Sequence, residues 1–294
     1  MKNTYTLGAD PELFVFSHEK NRIVSSIPVV IKDKHDPIDL GDGIKMYADN
    51  VLLETSFPPS DTKDGAIKTI KSALTKIQDW LGRKHSLVAQ ASHVFSQDDI
   101  GAKPDLMRGQ LPVEWEIGCN PSWNAYTRKQ TIPAPFASGL RSGSFHIHVG
   151  SELLDDILMK EVAIKMFDLL VGCSSVIIDK DETTIARRML YGKAGEFRPT
   201  DYGVEWRVLG NYALRSPQLT ELIFDLVDYA MDQIACRNHK FILDNADMNL
   251  VQTAINTGNK TLAEVAIKKW IPSGLVARIH NAKTPDLHRD WSLA

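Results

Sequence analysis

Three short stretches of this 294-residue chain carry paired ionisable residues two positions apart: GADPELFVF (8–16), SGSFHIHVG (142–150) and YGVEWRVLG (202–210). Extended backbone sends residues i and i+2 to the same side. Asp10 and Glu12 therefore share one face of a strand, His146 and His148 a face of a second, and Glu205 and Arg207 a face of a third. Phe145, Ile147 and Val149, and likewise Val204, Trp206 and Val208, take the opposite faces. A fourth stretch, YADNVLLETSFPP (47–59), puts Asn50, Leu52 and Glu54 on one side and adds a single carboxylate.

A half-exposed antiparallel sheet alternates in the same way. Its solvated face, however, ordinarily mixes Thr, Lys and Ser with its charges, and here the polar positions are carboxylate and imidazole. If the strands share a sheet, one face gathers Asp10, Glu12, Glu54 and Glu205 with two histidines and an arginine. Carboxylates so clustered repel one another unless cations lie among them. Hard divalent ions, Mg²⁺ or Mn²⁺, take such oxygen donors, and an imidazole completes the shell. Arg187, Arg188, Arg198 and Arg207 lie near one another in the chain, interspersed with Gly192, Gly195 and Gly203. Guanidinium forks beside flexible glycines suit phosphate oxygens, which Mg²⁺ bridges in nucleoside triphosphates. A solvated basic loop has the same composition.

The elements expected to carry these residues begin with strands over about 5–16, 22–31 and 44–57. Pro58-Pro59-Ser60-Asp61 ends the last and starts a helix, along which Ile67, Ile70, Ala73, Leu74, Ile77 and Leu81 keep helical spacing up to Gly82. Residues 86–94 read as another strand, and 98–139 as a long irregular segment rich in Pro, Gly and Asn. Ser151 can cap a helix over 152–173. Ser216-Pro217 opens another to about 238, with Leu219, Leu222, Ile223, Leu226, Val227, Ala230 and Ile234 in one stripe. No βαβαβ order is visible, so the expected class is α+β, with residues 1–245 as one domain and 246–294 as its helical C-terminal extension.

The hydrophobic fraction of 43% and charged fraction of 24% are those of a globular protein. A net charge of −3 argues against generic nucleic-acid binding. Cys119, Cys173 and Cys236 form no CxxC pair, which disfavours a disulfide framework or thiolate zinc site. The most apolar stretch, Met166 to Ile178, contains Asp168 and is too short to span a bilayer. The expectation is a soluble cytoplasmic protein with no nucleic-acid or membrane partner.

GADPELFVF resembles the first metal-binding strand of glutamine synthetases and glutamate–cysteine ligase-type enzymes. NVLLETSFPP resembles the second strand of the carboxylate–amine ligase branch, GSFHIHVG its glycine-rich His-x-His segment, and VEWRVLG its late Glu-x-Arg strand. The four occur in that family's order, and the RRMLYGKAGEFRPTDYGVEWR stretch looks most like phage-encoded COOH–NH2 ligases of type 2. The resemblance implies a glutamine synthetase-like twisted, mainly antiparallel sheet, curved into a half-barrel with helices on its convex side. It further implies an ATP-dependent carbon–nitrogen ligase acting through an acyl phosphate, in the host-cell cytoplasm if phage-encoded.

Carried over by position, Asp10, Glu12, Glu54, His146 and Glu205 would hold two or three Mg²⁺ or Mn²⁺ ions. His148 and Arg207 would lie near the ATP phosphates, with Arg187, Arg188 or Arg198 assisting. Glu205, Arg207 and Arg198 would be the catalytic group. Partners would be ATP, a carboxylate substrate and an amine (amino acid, polyamine or peptide), with homo-oligomers possible. Two departures stand out. The first acidic position is usually Glu in the glutamine synthetase branch and here is Asp10. The long extra segments of the large glutamate–cysteine ligases are absent, so their amino-acid pocket does not transfer. The 118–126 stretch is a candidate substrate loop and Glu114 or Glu116 a candidate proton acceptor. Two rival readings are a metal-dependent hydrolase using His-x-His and an inactive binding module of the same fold.

Overall fold

The structure is a computed structural model, and it describes residues 5–96, 98–99, 122–131 and 139–293. Its strands are β1 (Thr6–Ser17), β2 (Arg22–Val24), β3 (Ile38–Asp39), β4 (Lys45–Asp49), β5 (Leu52–Ser56), β6 (His85–Val88) and β7 (Ser92–Val94). There follow β8 (Ser122–Asn124), β9 (Lys129–Thr131), β10 (Leu140–Ser142), β11 (Phe145–Gly150), β12 (Glu196–Thr200) and β13 (Gly203–Trp206). Among the described residues, one antiparallel sheet runs in the order β3-β4-β5-β1-β11-β13-β12-β8-β9, with β2 and β6 also paired to β1. The fold is α+β, as expected.

Alternation decides which side of this sheet meets the helices. Leu7, Ala9, Leu13, Met46, Ala48, Leu53, Phe145, Ile147, Val149, Phe197, Val204 and Trp206 all belong to one buried apolar cluster with the helices. The intervening residues of the same strands, Asp10, Glu12, Tyr47, Asp49, Glu54, His146, His148, Arg198 and Glu205, are then forced onto the opposite face. Full burial of each large apolar side chain contributes about 1.5–3 kcal/mol, so a register slip of one residue would forfeit many such contributions.

Helix signals on the sequence set the apolar layer. Thr62 Oγ1 accepts from Gly65 N at 3.1 Å and caps Lys63–Leu81, whose Ile70, Ala73, Leu74, Ile77 and Leu81 are buried. Ser216 Oγ accepts from Leu219 N at 3.1 Å and caps Pro217–Ala235. The expected helix over 152–173 differs in detail. Ser151 caps only a short 3₁₀ turn, and Asp156 caps the helix proper, Ile157–Phe167. The run then passes through a π-helical turn, Asp168–Gly172, and continues as Cys173–Ile178. Helices at Met248–Thr257, Lys260–Ile267, Ser273–His280 and Leu287–Trp291 add Val251, Ile255, Ile267, Ile279 and Trp291 to the same apolar cluster.

Other expectations for local structure are corrected. The strand anticipated over 44–57 is a hairpin, β4–β5, reversed at Asn50, whose φ is 56°. Residues 22–31 split into β2 and a helical turn, Ile27–Val30, and 86–94 into parts of β6 and β7. Within the segment expected to be irregular, Ser122–Asn124 and Lys129–Thr131 form a hairpin, and β8 extends the main sheet beside β12. No helix among the described residues is long and apolar enough to cross a membrane.

Candidate active site

Register builds the site in rows across the polar face. Gly8, His148, Glu205 and Arg198 stand side by side on β1, β11, β13 and β12. One step along, Asp10 pairs with His146, and beyond it Glu12 pairs with Glu54, which pairs with Tyr47. Residues more than a hundred positions apart in the chain are thereby neighbours.

His148 Nε2 lies 3.0 Å from Asp10 Oδ1, and its Nδ1 lies 2.5 Å from the Tyr202 hydroxyl. His146 Nδ1 sits between two carboxylates, 3.3 Å from Asp10 and 3.5 Å from Glu205. Glu205, 2% exposed, accepts from Arg198 at 2.7 Å and is 3.0 Å from Arg207 Nε. Arg207 also donates to Ser122 Oγ at 2.8 Å and lies over the Tyr191 ring. The hairpin β8–β9 thus holds one of the site's cations.

The carboxylates divide by surroundings. Burial alone would raise Asp10, but the imidazoles of His146 and His148 outweigh it and hold its carboxyl below the usual range. Burial pushes Glu12 up to about 7, with Asp49 and Asp10 adding to the rise and His146 and Arg207 opposing it. Burial, then Asp49, Asp10 and Glu12, raise Glu54 well above its ordinary value. Burial and Glu54 also push up the Tyr47 hydroxyl. Asp49 keeps an accessible surface although protein surrounds its carboxyl, and the environment raises it. Burial by itself lowers His148, and Asp10 and Glu205 reverse that.

Two groups of three donors result: Asp10, His148 and Glu205, and Glu12, Asp49 and Glu54. Within each, the donor atoms lie within 4.8 Å of one another. Carboxylate oxygens with imidazole nitrogen and no thiolate fit a hard divalent cation such as Mg²⁺ or Mn²⁺. Burial first, and neighbouring carboxylates after it, raise Glu12 and Glu54, so a cation among them would favour their ionised forms.

Most sequence-derived candidates converge on this face: Asp10, Glu12, Glu54, His146, His148, Arg198, Glu205 and Arg207. Inside the first donor group, His148 takes the position expected of His146. Asp49 was not anticipated, because a single strand over 44–57 puts residues 49 and 54 on opposite faces. The reversal at Asn50 brings them to the same one.

Arg187 and Arg188, expected to assist at phosphate, are buried and bonded within the protein. Arg187, 1% exposed, donates to the carbonyls of Gly143, Val208 and Leu209 and to Ser144 Oγ, tying the β11 entry to the β13 exit. Arg188 is buried against the C-terminal helices, donating to the Ile255 carbonyl at 2.5 Å. Gly192, taken from the sequence as a flexible phosphate-loop residue, is required instead by packing. Its φ is +73°, and a Cβ there would stand 1.8 Å from the Arg187 guanidinium. Glu114, Glu116, most of 98–139 and residues 118–121 lie outside the described residues.

Fold and site together define an α+β protein with an ionisable pocket floor formed by the open face of an antiparallel sheet. Residues 135–273 match the family model described as phage phiEco32-like COOH.NH2 ligase-type 2. The matched span contains His146, His148, Arg198, Glu205 and Arg207, and the chain is similar over it to carbon–nitrogen ligases. Among curated proteins none matches the chain. Among solved structures, a bifunctional glutathione synthetase from Pasteurella multocida aligns with a TM-score of 0.40 and 8% identity, over 98% of this chain and 51% of that one. The chain therefore spans about half the length of that protein.

Proposed function

We propose that this chain is an ATP-dependent carboxylate–amine ligase that makes an amide bond through an acyl phosphate. The observation that carries the reading is the meeting of two donor groups with Arg198 and Arg207 on one sheet face, within and beside the span that matches the ligase family model.

Asp10, His148 and Glu205, with His146 beside them, and Glu12, Asp49 and Glu54 would hold two or three Mg²⁺ or Mn²⁺ ions, which neutralise charge on a transferring phosphoryl group. Arg207 is held by Ser122 and Glu205 in a fixed orientation, suited to meeting phosphate oxygens without reorganisation. Arg198 is partly exposed and can swing from Glu205 toward ligand. A substrate carboxylate oxygen bonds to the γ-phosphorus as the bond to ADP breaks. An amine nitrogen then bonds to the acyl carbon, inorganic phosphate leaves, and the ammonium proton passes to a carboxylate or solvent. Residues 1–245 would form the catalytic unit and 246–294 a helical extension of it, with the cytoplasm as the setting.

Hydroxylamine tests this without knowledge of the amine, because it traps acyl phosphates as hydroxamates. Pooled carboxylic acids with MgATP should yield hydroxamate and ADP together, and Glu205→Ala should abolish both while the protein stays folded. ATP turnover unaffected by Glu205→Ala, or ADP release without hydroxamate from any acid, would overturn the reading.

A further inference from the structure

Beside the donor groups lies a cavity of about 390 Å³ whose lining includes Gly8, Asp10, Phe57, Pro59, His148 and Tyr202. That volume lies within the range of small-molecule pockets, roughly 300–1,000 Å³. Its floor is open because Gly8 and Gly150 present no side chain. At Gly150 a Cβ would come within 2.5 Å of Thr6 Oγ1. Its walls are apolar and aromatic, from Phe57, Pro59, Tyr47 and Tyr202, with the half-exposed Tyr202 at the rim.

Charge is distributed unequally around this cavity. Among the described residues no lysine or arginine lines it, and its inner end is Asp10, with Glu54 held against Tyr47 just behind. Its one basic lining group among the described residues, His148, is paired with that same Asp10. Arg198 and Arg207 both engage Glu205, on the far side of His148 in the row. The two guanidinium groups thus lie on the β13–β12 side, and the carboxylates of Asp10 and Glu54 on the β5–β1 side, where Lys45 stands across from Ser56.

We propose that this cavity is the amine subsite and that its ligand is a primary ammonium on an apolar or alkyl body. The ammonium would sit toward Asp10, whose carboxylate it would share with the divalent ion of the first donor group, and the alkyl stem among Phe57, Pro59 and Tyr202. Aromatic walls favour a desolvated cation as well as its hydrocarbon stem. The proposal rests on the ligase reading for the word subsite, while the binding it describes is measured independently.

Calorimetric titration with hexylamine, hexan-1-ol and hexanoate, in Mg²⁺ buffer at neutral pH, separates charge from apolar contact. Hexylamine should bind at least about tenfold more tightly than hexan-1-ol, and hexanoate should not bind. Pro59→Lys, a change at an exposed rim position, should weaken hexylamine by about tenfold and leave hexan-1-ol nearly unchanged. Phe57→Ala should weaken both. Equal affinity for amine and alcohol, or competitive displacement of hexylamine by adenosine, would overturn the proposal, the second by making the cavity a nucleoside site. If hydroxamate forms but hexylamine does not bind, the subsite fails and the ligase reading stands. If hexylamine binds as described and no hydroxamate forms, the ligase reading fails and with it the assignment of the ammonium as substrate.

Discussion

Glu12 gives the sharpest handle on the site. Its carboxyl rises from the ordinary 4.5 to about 7, burial being the largest cause. A rise of that size makes ionised Glu12 costlier in the folded than in the unfolded chain by about 3 kcal/mol. The folded state therefore binds the proton more tightly between pH 4.5 and 7, so Glu12's contribution to stability without divalent ions falls as pH climbs through that window and is constant above it. Glu54 and Asp49, also raised, act with the same sign, whereas the lowered Asp10 acts oppositely and only at more acid pH. Glu12→Gln removes the largest defined part of this slope and should stabilise the ion-free protein at pH 8 by up to about 3 kcal/mol. Mg²⁺ should stabilise the wild type most at high pH and release protons on binding near pH 6 to 7. The assay is urea denaturation across pH 4.5 to 8 with and without Mg²⁺, for both proteins. A wild-type profile flat over that interval, or a Glu12→Gln profile equally steep and equally responsive to Mg²⁺, would refute the reasoning.

Further outcomes follow from other contacts. Arg207→Lys keeps the charge but loses the fork shared by Glu205 and Ser122, so ATP turnover should fall by at least about tenfold with little change in stability. Wild-type rates would remove Arg207 from the phosphate site. Asp168 accepts from Trp206 Nε1, Tyr126 Oη and Gly195 N inside the π-helical turn. Asn has one acceptor oxygen and turns an amide N–H₂ toward these donors, so Asp168→Asn should destabilise by about 2–4 kcal/mol in denaturant titration. A loss under about 0.5 kcal/mol would show that the contacts are not maintained in solution. Arg187→Lys should lower stability strongly, since it strands several carbonyls, whereas Arg198→Ala should lower turnover and leave the melting temperature nearly unchanged. The reverse pattern would return Arg187 to the active site.

The polar face was legible where one strand carried its own signal. In β1, β11 and β13 the alternation alone fixes which residues oppose the helices, because burying Leu13, Ile147 or Trp206 leaves Glu12, His146 and Glu205 no other side. The helix starts after residues 58–61 and at Ser216 were legible in the same local sense, although the first cap is Thr62. What escaped depends on long-range geometry. The reversal at Asn50 moves Asp49 onto Glu54's face, and no alternation within one assumed strand contains that information. Arg187 and Arg198 are indistinguishable by composition, yet one fills a buried gap left by Gly192 while the other, partly exposed, reaches in to the buried Glu205. Asp168 is a lone acid in an apolar run, and only the tertiary fold shows that three separate donors converge on it.

The central claim is that carboxylates from separate strands share divalent cations that engage nucleotide phosphates. Crystals grown with Mn²⁺ and a non-hydrolysable ATP analogue, measured for anomalous scattering, test it directly. The account predicts strong anomalous peaks bounded by Asp10, His148 and Glu205 and by Glu12, Asp49 and Glu54, with the triphosphate between them and Arg207. Nucleotide bound elsewhere, or manganese absent from both donor groups at saturating concentration, would contradict it.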